Sequence, residues 1–125
     1  MTKSILVVDD DDDVRRLVEL SLSRVGGHEV RTASSGAECL EVLRAWRPDV
    51  VILDVMMPGK DGPETLELIR TDSELADIQV VFLTASVIDS DLTSLRALPI
   101  AGVLSKPFDP MQLPTLLDAE LGWGQ

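Results

Sequence analysis

The chain has no tyrosine, two tryptophans and two phenylalanines among 125 residues, so any core it builds must be aliphatic. Cys39 is the only cysteine, which excludes an internal disulfide and a Cys₂ or Cys₄ zinc site within one chain. It reads as helix packing rather than chemistry. Basic residues are scarce: eleven Lys and Arg stand against twenty-two Asp and Glu, giving a formal net charge of −11 and a pI near 4.3. That balance disfavours direct contact with nucleic acid or an anionic membrane surface. Long hydrophobic runs are absent as well. Lys3 is the only basic residue before the apolar run Ile5 to Val8, which is far shorter than a signal peptide's hydrophobic region, and no later run reaches bilayer length. Repeats, linkers and low-complexity tracts are also missing, and the expectation is a cytoplasmic protein forming one domain over residues 1–125.

What is present is a folding pattern. Forty-five per cent of residues are hydrophobic and the mean hydropathy is +0.16, values of a chain that buries a core. Ile5 to Val8, Val50 to Leu53, Val80 to Leu83 and the weaker Ile100 to Leu104 read as buried parallel strands, with His28 to Ala33 a more polar fifth. Helical spacing lies between them. Val14, Leu17, Val18 and Leu22 recur until Gly26-Gly27, and Leu40, Leu43 and Trp46 recur before Pro48. Leu66 and Ile69 mark a third helix, and Leu92, Leu95 and Leu98 a fourth. Ser35 with Glu38 forms a capping-box pattern. Asp109-Pro110 with Gln112 predicts the start of a fifth helix running to about Leu121, with Pro114 one turn inside it. Alternating strands and helices predict a three-layer α/β sandwich, flavodoxin-like, whose five-stranded parallel sheet has the order 2-1-3-4-5.

That order puts a crevice beyond the carboxyl ends of the first and third strands, where Asp9, Asp10 and Asp54 fall. Three carboxylates at close range repel one another unless a cation or a proton joins them. An all-oxygen set suits Mg²⁺. Thr84 and Lys106 end strands on the same edge, so a hydroxyl, an ammonium and the metal would cradle a tetrahedral phosphoryl group, with a carboxylate as nucleophile. Asp11, Asp12 and Asp13 read instead as capping and solvating the first helix.

Over nearly its whole length the chain resembles the response regulator receiver domains of two-component systems. Ile5-Leu6-Val7-Val8-Asp9-Asp10 is similar to the family's first strand and acidic pair. Asp54 through Gly62, reading DVMMPGKDG, is similar to its phosphoacceptor loop. Thr84-Ala85-Ser86 resembles the switch hydroxyl segment and Lys106-Pro107-Phe108 the lysine motif. The resemblance implies that Asp54 accepts a phosphoryl group and that Asp10, Asp54 and the Met56 carbonyl ligate Mg²⁺, Asp9 acting mostly through a water on the metal. It implies that Lys106 and Thr84 hold phosphoryl oxygens and that the Lys106-Pro107 bond is cis. It further implies a sensor histidine kinase or histidine phosphotransfer protein as donor, a downstream protein target, and no enzymatic activity beyond self-phosphorylation and slow self-dephosphorylation. The chain's one histidine, His28, follows Gly26-Gly27 at the far end of the sheet, so the donor imidazole belongs to another protein.

Met57 reads as a gap filler. Met56 would border the water path to the phosphoryl group, where a thioether cannot orient water as an amide or acid could, and Ser86 would offer modest help at most; dephosphorylation should be slow. Two departures from the family bear on output. Val103 stands where most receivers carry Tyr or Phe, and Leu98-Pro99-Ile100-Ala101-Gly102 lacks the family's Gly-Ala-Asp, so an aromatic relay cannot report the switch. The fourth helix, fifth strand and fifth helix should still form the partner face. The ending Gly122-Trp123-Gly124-Gln125 is too short for an output domain and favours a stand-alone regulator over an excised piece. Rival readings are weaker. A haloacid-dehalogenase-type phosphatase needs a second Asp two residues after its nucleophile, a pattern met only loosely at Asp9 and Asp11 and not after Asp54, and a cap domain; a nucleotide module needs a glycine-rich loop after the first strand. A pseudo-receiver that binds partners without phosphorylation would usually have lost the acceptor or the lysine, and both are here.

Overall fold

Strand-forming runs rich in Val, Ile and Leu assemble the centre of the computed structural model, which describes residues 2–85 and 88–123. The strands are β1 (Ser4–Val8), β2 (Glu29–Ala33), β3 (Val50–Asp54), β4 (Gln79–Thr84) and β5 (Gly102–Ser105). They form one parallel sheet in the order β2-β1-β3-β4-β5, as the sequence predicts. The helices are α1 (Asp12–Leu20), α2 (Gly36–Ala45), α3 (Gly62–Thr71), α4 (Asp89–Arg96) and α5 (Leu113–Leu121).

Period-two alternation sends neighbouring residues of each strand to opposite layers. Leu6, Val8, Val51, Leu53, Val80 and Phe82 face α2 and α3, packing on Cys39, Leu43, Leu66 and Ile69. Ile5, Val7, Val50, Ile52, Val81 and Leu83 face α1 and α5, packing on Val18, Leu22, Leu113 and Leu117. Met57 is buried in the first of these clusters, the packing role its sequence position suggests. Burial also pushes the Cys39 thiol up to about 12, so it is inert as a nucleophile.

Local chemistry sets the helix ends. The Asp11 side chain caps α1 by accepting from the N–H groups of Asp13 and Val14. Ser35 Oγ accepts from Glu38 N–H at 3.1 Å, while the Glu38 carboxylate returns to the N–H of Ser34, one residue before the predicted partner. The α3 cap is a full capping box between Asp61 and Glu64 with proline in the first turn, a pattern present in the sequence but not read there. After α1 the chain continues as a π-turn over Ser21–Val25, closed by Gly26 N–H on Ser21 C=O and left through Gly27 at positive φ.

Boundaries differ from expectation in several places, Leu98, read into the fourth helix, lying beyond the end of α4 at Arg96, and three shifted starts have a clear local cause. The second strand starts at Glu29, because His28 N–H is turned back onto Leu22 C=O. The fifth starts at Gly102, because Ile100 N–H is taken by Leu98 C=O in a tight turn. Most instructively, α5 begins at Leu113 and not at Pro110. A helix begun earlier would need Pro114 to donate to Pro110 C=O, but proline has no N–H. That carbonyl accepts instead from Ser21 Oγ at 2.5 Å, Asp109 caps only a lead-in turn, and Pro114 falls in the first turn of α5.

Candidate functional site

Sheet register carries the predicted residues to one edge. Val8 pairs with Leu53, so Asp9 and Asp54 end adjacent strands, and Asp54 pairs with Leu83, which puts Thr84 one residue further along β4. Thr84 pairs with Ser105, and the Lys106 N–H donates to the Thr84 C=O at 2.7 Å. The Lys106-Pro107 bond is cis, as the resemblance implies.

Asp9, Asp54 and Thr84 are buried, whereas Asp10 is exposed at the mouth. Asp9, Asp10 and Asp54 each offer a carboxylate oxygen, all within 4.8 Å of one another. Into this cluster reaches Lys106, whose ammonium lies 2.9 Å from Asp9 Oδ2 and 3.2 Å from Asp54 Oδ1. The charges act on each other. Burial, reinforced by the neighbouring Asp9 charge, raises Asp54 from 3.8 to about 6, against the counterpull of Lys106 and the Met56 N–H. Burial works to lower Lys106, but its close pairing with Asp9, then with Asp54, outweighs it and the ammonium is held more firmly than usual.

The cluster fits a hard divalent cation. Lys106 pairs with Asp9 and Asp54 of the three carboxylates, and Asp9 Oδ2, fully buried, carries the ion pair with Lys106 but no aligned hydrogen bond, leaving lone-pair capacity uncommitted. An oxygen-only donor set of this kind suits Mg²⁺.

The loop from Asp54 to α3 is held tightly. Gly62 N–H donates to Val55 C=O at 2.9 Å, and a Cβ at Gly62 would stand 2.6 Å from the Asp54 carbonyl oxygen. Gly59 turns the loop at a φ of 74°. Met56 projects from it with 77% of its surface exposed. Ser86 lies outside the described residues. His28 sits at the opposite end of the sheet, its Nδ1 accepting from the Lys3 N–H, as expected for a residue with no part in this site.

Sequence reasoning missed two contributors. Arg15 donates from Nη1 to the Asp9 carbonyl at 2.9 Å; its spacing of three from Asp12 marked a helix-face pair, but nothing in the sequence showed the reach back to the strand end. Glu120 Oε1 accepts from the Val103 N–H at 2.7 Å and from Arg96 Nη2 at 2.9 Å, joining α4, β5 and α5 at the position where an aromatic was expected. Gly102 leaves room for that carboxylate, since a Cβ there would meet Glu120 Cβ at 2.7 Å.

A doubly wound parallel sheet with an acidic cluster and a lysine at its switch point defines the class of open α/β folds that bind ligands beyond the carboxyl ends of their strands. The comparisons with known proteins give the family. Residues 5–118 match the response regulator receiver domain, and the chain belongs to that family. The transcriptional regulatory protein AfsQ1 of Streptomyces coelicolor is 46% identical over 71% of this chain and 38% of its own length. The transcriptional regulatory protein GltR of Pseudomonas aeruginosa is 39% identical over 95% of this chain and 49% of its own length. The chain thus spans half or less of the length of these two relatives. Among solved structures, the chemotaxis response regulator CheY4 of Vibrio cholerae superposes with a TM-score of 0.87 at 32% identity, covering 97% of this chain and all of that one. Among the described residues no helix is long and apolar enough to cross a membrane.

Proposed function

We propose that the chain is a phosphorylation switch whose Asp54 accepts a phosphoryl group from a phosphohistidine of a partner kinase or phosphotransfer protein, in a Mg²⁺-dependent reaction. The observation that carries this reading is the Lys106 ammonium set between two buried carboxylates at the sheet's switch point, 3.2 Å from Asp54. Asp10, Asp54 and the Met56 carbonyl would hold the cation directly and Asp9 through water. When bound, Mg²⁺ offsets negative charge on the phosphoryl oxygens.

The chain's own residues do the rest. Asp54 must be ionised to attack: its oxygen bonds to phosphorus as the donor's P–N bond breaks, and the electron pair leaves on the imidazole nitrogen, which is reprotonated. Lys106, released from part of its pairing with Asp54, follows the charge onto the phosphoryl oxygens. Thr84, tied through its carbonyl to Lys106, supplies a hydroxyl to the same group. Movement there reaches α4, β5 and α5, the face proposed to bind a downstream protein. Catalysis is confined to the chain's own phosphorylation and slow dephosphorylation. A cytoplasmic setting follows from the need for a kinase partner.

The test is intact mass after incubation with acetyl phosphate. Wild type should gain one phosphoryl group only with Mg²⁺, and Asp54→Ala should gain none. Absence of any gain would leave a protein-binding module without phosphorylation.

A further inference from the structure

The acidic pair of the site is presented by a short turn between β1 and α1. Asp9 N–H is anchored on Ala33 C=O at 3.2 Å, and Asp9 Oδ1 folds forward onto the Asp11 N–H at 2.9 Å. These bonds fix Asp9 itself. The next peptide unit, which joins Asp9 to Asp10 and sets the direction of the exposed Asp10 side chain, is gripped from α1. There the Arg15 guanidinium donates from Nη1 to the Asp9 carbonyl at 2.9 Å, while Nη2 is tethered to Asp12 Oδ1 at 2.5 Å.

We propose that Arg15 is a positioning residue for metal binding: it braces the Asp9-Asp10 peptide so that the two carboxylates meet the cation without reorganising. The inference rests on the phosphoacceptor reading. Arg15 touches neither the cation nor the phosphoryl group. It acts through the main chain, and its planar fork, spanning a carbonyl and a carboxylate at once, is what a lysine cannot reproduce.

Charge alone predicts the opposite sign. An arginine beside a cation site repels the cation, so removing it should tighten binding. Removing Arg15 also leaves the Asp12 carboxylate unpaired, so both electrostatic changes favour tighter binding and a loss of Mg²⁺ affinity could come only from geometry. The two explanations therefore separate cleanly by experiment.

The measurement is Mg²⁺ affinity by isothermal titration of the unphosphorylated chain, comparing wild type with Arg15→Gln and Arg15→Lys. Bracing predicts weaker binding in both, by about tenfold, the scale seen when a group supporting metal ligands is lost. Phosphorylation by acetyl phosphate should then need more Mg²⁺ for half-maximal rate while keeping its rate at saturating Mg²⁺. Unchanged or tighter binding in Arg15→Gln would overturn the proposal, and so would full rescue by Arg15→Lys. Should one variant fail to fold, the other still decides the sign. Failure of the wild type to bind Mg²⁺ is a different result, removing the phosphoacceptor reading itself and this proposal with it.

Discussion

Lys106 stands closer to Asp9, at 2.9 Å, than to Asp54, at 3.2 Å. The ammonium therefore leans on the carboxylate that stays behind and remains available to the one that reacts. Pairing with both acids outweighs the cost of its burial, so it is fully charged across the physiological range. Lys106→Met should slow phosphorylation by acetyl phosphate by about 10²- to 10³-fold, the scale of losing one preorganised charge-stabilising donor. Rates from intact mass at saturating Mg²⁺ check this, and a loss under threefold would remove Lys106 from the reaction.

Asp54 predicts a pH signature. Burial and Asp9 raise it from 3.8 to about 6, so the folded state binds this proton more tightly than the unfolded chain does. The stability it contributes is fully present below pH 3.8 and is lost as pH rises through about 6. Asp54→Asn removes that loss. Without Mg²⁺, the variant should exceed the wild type at pH 7.5 by about 1–2 kcal/mol after allowing for solvent screening, and match it near pH 4. Denaturant melts at the two pH values test the sign.

Gly62 predicts a steric effect on the acceptor loop. A methyl group there would lie 2.6 Å from the Asp54 carbonyl oxygen and 2.8 Å from Val55 Cα, both backbone atoms that cannot swing aside. Gly62→Ala should destabilise the fold by about 2–3 kcal/mol in equilibrium unfolding. It should also lower Mg²⁺ affinity, because the strain falls on the residue that holds the acceptor.

Met56 predicts persistence of the phosphorylated state. Its side chain is 77% exposed beside the acceptor and offers a thioether where a polar group would orient attacking water. Met56→Asn should shorten the phosphoprotein's lifetime by about tenfold, a modest fraction of what positioned acid–base groups achieve. Decay of the phosphorylated mass after removal of acetyl phosphate measures it.

Much of this architecture was legible in the residues. Ile5 to Val8 and Val50 to Leu53 are short, β-branched and unbroken, the pattern of strands covered on both faces, and the rule for where ligands bind such sheets led from them to Asp9, Asp10 and Asp54. What stayed hidden depends on contacts between distant segments. Pro114, the cause of the later start of α5, stands in the sequence, but that Ser21, 89 residues away, takes up the Pro110 C=O did not show there, nor did the support of Asp9 by an Arg15 side chain reaching back across a turn. The substitution at Val103 was visible in the sequence; that Glu120 and Arg96 gather around its N–H was not, because it needed Gly102 to clear the path.

The central claim is that Asp54 itself carries the phosphoryl group. An acyl phosphate is reduced by borohydride, phosphate leaving as hydride converts the carboxyl carbon to an alcohol, so the modified aspartate becomes homoserine. After acetyl phosphate and Mg²⁺, peptide mass mapping of the borohydride-treated chain should find homoserine at position 54 and unmodified Asp9 and Asp10. Homoserine at Asp9 or Asp10 in place of Asp54, or at no position in a chain that had gained phosphate, would contradict the account.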